Sequence, residues 1–163
     1  MTRVAHAGVG GWGKNVVRVV GELAELAWIC DTDDGRRAEY AERYPSARLT
    51  ASFEEMLADE TVDAVVIATP DHWHLRMTEE ALLAGKHVYI EKPMTHRWEE
   101  GEAFIAAVEK SGKALQVGSQ YMSMGCAQKA ADLIKSGRLG QITLVEGRFH
   151  RNTATGAWYY PIP

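Results

Sequence analysis

The sequence predicts an α/β chain: a doubly wound, mainly parallel sheet over residues 1–120, then, over residues 121–163, a connecting helix and first strand as the truncated start of a second, α+β domain. Three observations predict it. Short apolar runs alternate with helical patterns as far as residue 117, the pattern of right-handed βαβ units. Residues 62–68 are almost continuously β-branched and apolar, as a strand buried on both faces of a parallel sheet must be. The first apolar run ends in a cluster of glycines that opens a helix.

Each element has its own signal. Residues 3–9 form the first run, and Val16, Val17, Val20, Leu23 and Ala24 then recur at helical spacing. The second run, residues 26–30, stops at the acidic cluster Asp31-Thr32-Asp33-Asp34. Residues 34–44 read as a helix ended by Pro45, and a short strand follows at residues 48–50. Ser52 and Glu55 have the capping-box spacing and open a short helix to Ala58. After the strand at 62–68, Asp71 is placed to cap a helix ending at Ala84, with Gly85 just beyond it. Residues 87–90 are the fifth strand. Thr95 is placed to cap a helix carrying Trp98, Gly101, Ile105 and Val108 near one face, and residues 114–117 are the sixth strand. Beyond Gly118, Ala127, Ala130, Ala131 and Ile134 predict a helix that ends at Ser136-Gly137 and Gly140. A lone strand over residues 141–149 and an aromatic, proline-rich tail close the sequence.

Composition narrows the function. The 163 residues carry 18 basic and 22 acidic side chains, a formal charge of -4. A nucleic-acid or anionic-membrane binder working by general electrostatics needs a basic surplus, so neither partner is expected. Hydrophobic residues at 46% and charged residues at 25% are those of an ordinary globular chain. No run approaches the ~18 apolar residues of a membrane span. The N-terminus lacks the basic start and apolar core of a signal peptide. Two cysteines, Cys30 and Cys126, are too few for a disulfide framework and read as reduced, small, buried side chains. A cytoplasmic location is expected.

The segment Gly8-Val9-Gly10-Gly11-Trp12-Gly13 fits G-x-G-x-x-G. It follows a strand, opens a helix and is followed by Asp31 at the end of the second strand, which is the context of a Rossmann-type dinucleotide fingerprint. Gly8 permits the tight turn, Gly10 lets the backbone approach a diphosphate, and Gly13 lets the helix pack on the sheet. The amides near Gly11 and Trp12 then face the phosphates at the positive end of the helix dipole. For Trp12 only the backbone N–H is assigned. Asp31 is placed to accept hydrogen bonds from ribose hydroxyls. Its charge repels a 2′-phosphate, favouring NAD over NADP, while nearby Arg36 and Arg37 weaken that preference.

The glycine turn, Asp31, the segment Thr69-Pro70-Asp71-His72-Trp73-His74, the triplet Glu91-Lys92-Pro93 and the segment Gln116-Val117-Gly118-Ser119-Gln120 stand in one order. In this the sequence, from Arg3 to about Phe149, resembles the glucose-fructose oxidoreductase / inositol dehydrogenase / rhizopine catabolism family (Gfo/Idh/MocA). Thr69, Glu91, Lys92 and Gln120 follow apolar strand runs and should share the edge of the glycine turn. On the residues alone, Glu91 and Lys92 read equally as a solvated charge pair at a loop start. The resemblance implies that Lys92 is catalytic and meets the nicotinamide ribose. It also implies cofactor contacts from Thr69, Pro70, His74, Glu91 and Gln120, and a cis bond before Pro93. It further implies a sugar, polyol or related hydroxyl substrate, a homo-oligomer, and a second domain that supplies further acid/base groups.

No metal site is expected: His72 and His74 are two apart, and such positions on a helix point away from each other. No Asp-x-x-x-His pattern follows Arg151, so the 163-residue chain by itself is expected to bind a dinucleotide with little turnover. Three readings stay open: a dehydrogenase seen through its cofactor domain, a dinucleotide-binding module without redox chemistry, and an NAD-dependent glycosidase-type relative.

Overall fold

Six strands, all paired in parallel, form one sheet in the order β3-β2-β1-β4-β5-β6. The strands are β1 (Arg3–Ala7), β2 (Glu25–Cys30), β3 (Arg48–Thr50), β4 (Ala64–Ile67), β5 (His87–Ile90) and β6 (Leu115–Val117). The helices are α1 (Gly13–Leu23), α2 (Asp34–Arg43), α3 (Phe53–Leu57), α4 (His74–Leu83), α5 (Glu100–Ser111) and α6 (Gly125–Lys135). This computed structural model describes residues 1–148 and 150. The chain divides into two units, Met1–Gln120 and one that starts at Tyr121.

The strand order reverses between β1 and β4, the switch point at which an open parallel sheet leaves a crevice at its carboxyl edge. Register lines that edge up. Ala7 pairs with Cys30 and Ile67, Ile67 with Ile90, Ile90 with Val117, and Cys30 with Thr50. The next residue of each strand therefore falls in one row: Gly8, Asp31, Ala68, Glu91 and Gly118.

Two apolar layers hold the sheet. Ala5, Ala7, Val65, Ile67, Val88 and Ile90 pack with Met56, Met77, Leu82 and Phe104 on the face of α3, α4 and α5. Val9, Val17, Leu26, Ile29 and Tyr40 close the other face under α1 and α2. Because both faces are covered, β2 and β4 read as continuous apolar runs and not as alternating ones. Next to α1, within the Met1–Gln120 unit, a shallow apolar groove of about 300 Å³ follows Val4, Val16, Val20, Ala64, Val66 and Tyr89. His6 alternates with Ala5 and Ala7 and so points to the α1 face, with Ile29 and Val66 as its neighbours in register. It is fully buried, neither ring nitrogen has a partner among the described residues, and burial pushes its pKa down to about 3.

Several boundaries differ from expectation. Ser52 does accept the N–H of Glu55, but the Glu55 carboxylate takes the Thr50 hydroxyl at 2.5 Å instead of returning to Ser52, whose N–H goes to Thr50 Oγ1. Thr95 caps nothing: α5 starts at Glu100, whose carboxylate accepts the N–H groups of His96 and Arg97 and holds that segment as a turn. Asp71 opens a 3₁₀ turn, Asp71–Trp73, and α4 begins only at His74. In the second unit, α6 extends two residues ahead of the expected Ala127, and Cys126 on it is exposed, not buried. Residues 141–148 form no strand among the described residues, although their composition favours one. β-Propensity measures fit to a paired, half-buried surface, and no ladder partner stands beside them among the described residues. The expected strand end at Phe149 and the tail lie outside the described residues.

Candidate functional site

At the tip of β1 the chain must turn under a helix, and the glycines answer that geometry. Gly8 has φ +86°, and a Cβ on it would lie 2.6 Å from the Ala68 carbonyl oxygen, so the turn passes directly against the strand-end of β4. A Cβ on Gly13 would lie 2.0 Å from the carbonyl oxygen of Gly8. The first turn of α1 thus sits on the loop itself. Among the described residues no protein group accepts from the amides of Gly10, Gly11 or Trp12. They stand at the positive end of α1, where a helix offers its unpaired N–H groups to an anion. The Trp12 indole is half exposed beside them.

Asp31 ends β2 next to this loop, its side chain 5% exposed. One carboxylate oxygen accepts the N–H of Val9 at 2.9 Å, and the other accepts the N–H of Asp33 at 3.0 Å. The acid is therefore fixed to the glycine loop before any ligand arrives, with one lone pair left on Oδ2. The Arg36 guanidinium lies 3.5 Å from Asp31 Oδ1 and fills the space beside Gly10, where a Cβ would meet it at 2.8 Å. Arg37 donates to the Asp31 carbonyl and pairs with Asp34. Burial, then the Asp31 charge, pushes the neighbouring Cys30 thiol up to about 11, which leaves it inert.

The loops after β4 and β5 meet on the other side of the switch point. Thr69 and Pro70 leave β4 at the edge, Thr69 partly buried and Pro70 exposed. Glu91 is buried and its carboxylate accepts the N–H of Lys92 at 3.1 Å. A Cβ on Gly118 would lie 2.6 Å from the Tyr89 hydroxyl and 3.1 Å from Glu91 Oε1, so β6 ends hard against that acid. Burial first, and the Glu91 charge second, raise the Tyr89 phenol. Lys92 is exposed, its ammonium meets no acceptor among the described residues, and the Lys92–Pro93 bond is cis, as the resemblance implies. Gln120 is exposed at the end of the first unit. His74 differs from expectation. It is 1% exposed, and each ring nitrogen sits on a backbone carbonyl, so it turns no open face to a ligand.

Asp71, His72 and His96 cluster nearby, with His96 Nδ1 3.5 Å from Asp71 and His72 Nδ1 3.9 Å from it. No three such side chains converge in metal-binding fashion among the described residues. A hollow of about 810 Å³ opens at the opposite, amino edge between Met1, Glu60, Asp63, Lys86 and Lys113, away from the row of strand tips. The Gly118 contact and the bracing by His74 escape sequence reasoning. Only the glycine directly after a strand run was a signal for the first.

The strand order, the glycine loop with its unpaired amides and the fixed acid on β2 define a dinucleotide-binding domain of the Rossmann type. A family model described as "Oxidoreductase family, NAD-binding Rossmann fold" matches residues 2–119. The chain belongs to that family, the Gfo/Idh/MocA oxidoreductases, and its first unit is the family's NAD-binding fold. The chain is 30% identical over 161 residues to inositol 2-dehydrogenase of Corynebacterium glutamicum, covering 96% of this chain and 48% of that protein. It is 29% identical over 130 residues to 1,5-anhydro-D-fructose reductase of Ensifer adhaerens, covering 80% and 38%. Among solved structures it is similar to the WlbA dehydrogenase of Bordetella pertussis in complex with NADH and UDP-GlcNAcA. There the TM-score is 0.80 at 34% identity, over 86% of this chain and 41% of that one. The chain thus spans less than half the length of each of these relatives. No helix among the described residues is long and apolar enough to cross a membrane.

Proposed function

We propose that this chain is the cofactor-holding part of an NAD-dependent dehydrogenase that oxidises a hydroxyl carbon of a sugar, a polyol or a related compound. The observation that carries the reading is the position of Lys92: an exposed ammonium, unpaired among the described residues, one residue past Glu91 in the row that begins with the glycine loop. NAD, when bound, supplies the hydride acceptor. The free amides of Gly10, Gly11 and Trp12 hold its diphosphate, and the preset carboxylate of Asp31 takes the adenosine ribose hydroxyls. Thr69, Pro70, Glu91 and Gln120 border the nicotinamide end. Lys92 donates a hydrogen bond to the substrate hydroxyl oxygen, which orients it and steadies the charge left there as its proton passes to water or to another acid/base group. The sugar-like substrate class is supported by the names of the relatives, which include an inositol dehydrogenase and an anhydrofructose reductase.

The carboxylate of Asp31 disfavours a 2′-phosphate, and the Arg36 guanidinium beside it tempers that effect. The chain is expected to bind NAD more tightly than NADP in a calorimetric titration. Equal or tighter NADP binding removes the role given to Asp31. Turnover by the 163 residues alone is expected to be slight, because among the described residues Lys92 alone is placed to meet a substrate beside the nicotinamide, and one contact does not hold it in attack geometry. The test of the whole reading is NADH formation by the complete protein that carries this sequence, offered inositols, hexoses and nucleotide sugars. Formation of NADH with one of these classes supports the reading. Cleavage of a glycoside with no net NADH, or no change in any of them, overturns it.

A further inference from the structure

The exposed Lys92 stands on a backbone that is gripped from both sides. On one side the Glu91 carboxylate, 6% exposed, accepts the N–H of Lys92 at 3.1 Å, while the Glu91 N–H is tied to the Ile67 carbonyl at 2.9 Å. On the other side the His74 ring lies 2.7 Å through Nδ1 from the Pro93 carbonyl and 3.0 Å through Nε2 from the Thr69 carbonyl. His74 is 1% exposed and heads α4, so it links the loop after β4 to the loop after β5 at the residue next to Lys92. On the same helix, Met77 and Leu82 are buried too, so this layer accepts plain apolar side chains. A buried imidazole costs desolvation that an apolar side chain of similar size would avoid, unless its hydrogen bonds are needed.

We propose that His74 is a positioning residue for Lys92. Held between the Thr69 and Pro93 carbonyls, and donating to one of them when it carries a single N–H, the ring sets the point from which the lysine stem departs. A lysine stem has four flexible carbons, and the ammonium reaches a hydroxyl reliably only if the stem's origin is held to within ~0.5 Å. Glu91 holds the amide on the near side and His74 the carbonyl on the far side. The proposal rests on the reading that Lys92 meets the nicotinamide ribose.

The test is a double-mutant cycle on the full chain with two probes. NADH reaches the Lys92 end of the site, whereas ADP ends at the diphosphate. Lys92→Ala is expected to weaken NADH binding about tenfold, the size of one hydrogen bond to a charged group, and to leave ADP unchanged within about twofold. His74→Leu is expected to do the same, and the double variant to lose no more than either single one. Additive losses in the double variant, or a parallel loss of ADP binding in a variant whose circular dichroism shows it folded, show a merely structural histidine and overturn the proposal. Lys92→Ala with unchanged NADH affinity is a different failure: it removes the underlying reading of Lys92, and the proposal with it. If His74→Leu does not fold by circular dichroism, the cycle is run with His74→Gln, whose amide keeps N–H donors. Non-additivity is expected there too, and additive losses overturn the proposal equally.

Discussion

Gly13→Ala is expected to destabilise the chain and to remove measurable NAD binding. The prediction is sharp because two effects oppose each other. Alanine in a helix is ordinarily better than glycine by up to ~1 kcal/mol. Here the added methyl group would stand 2.0 Å from the Gly8 carbonyl oxygen, a backbone atom that cannot swing aside. Either α1 lifts off the sheet or the loop unfolds from beneath it, and strain of this kind costs about 3 kcal/mol. That lowers the unfolding midpoint by roughly 6–12 °C in a chain of this size. The same displacement carries the amides of Gly10, Gly11 and Trp12 out of line, so the loss of binding exceeds the loss of stability. Thermal unfolding and calorimetry with NAD check both halves. A variant of equal or higher stability that still binds NAD contradicts the packing of α1 on the turn.

The second large effect is acid sensitivity from His6. Its folded pKa is lowered to about 3 by burial, against 6.5 for the free side chain. Between those values the unfolded chain carries a proton that the folded chain refuses, so stability falls as pH drops from about 6.5 toward about 3. At pH 5 this single group removes about 2 kcal/mol relative to neutral pH. The Asp59 carboxyl, held low by hydrogen bonds from Thr61 and then Trp28, adds its own loss only below the ordinary aspartate range of about 4. Urea unfolding at pH 5 and pH 7.5 therefore isolates the histidine. His6→Val is expected to abolish most of that difference. It should also be no less stable than the parent at neutral pH, since two unpartnered ring nitrogens leave the interior. An unchanged pH dependence in the variant contradicts the burial of a neutral His6 in β1.

What the sequence shows most clearly is what burial and close contact impose. β2 and β4 are legible because strands covered on both faces leave no room for polar residues. The glycine loop is legible because Gly8 and Gly13 touch backbone, and no other residue fits there. Element starts are less legible. Thr95 and Asp71 are good caps by type, but Glu100 takes the backbone groups ahead of α5, and the Asp71 carboxylate faces His72 and His96. Glu55 completes a capping-box pattern and then spends its carboxylate on Thr50, three-dimensional information that spacing does not carry. His74 is legible as part of a motif and illegible in its orientation, because a histidine buried between two backbone carbonyls and one that faces a ligand are the same letter. Residues 141–148 have strand composition without a partner, and pairing is decided elsewhere in the fold.

The central claim is that the dinucleotide lies along the row of strand tips, with its diphosphate on the loop of residues 8–13. It is tested most directly by amide nuclear magnetic resonance of the labelled chain titrated with NAD. The largest shifts are expected at Gly10, Gly11 and Trp12, with Asp31 and Lys92 following, all saturating together at one equivalent. Shifts centred on the hollow around Glu60, Asp63 and Lys113, or no saturable shifts at all, would contradict the account.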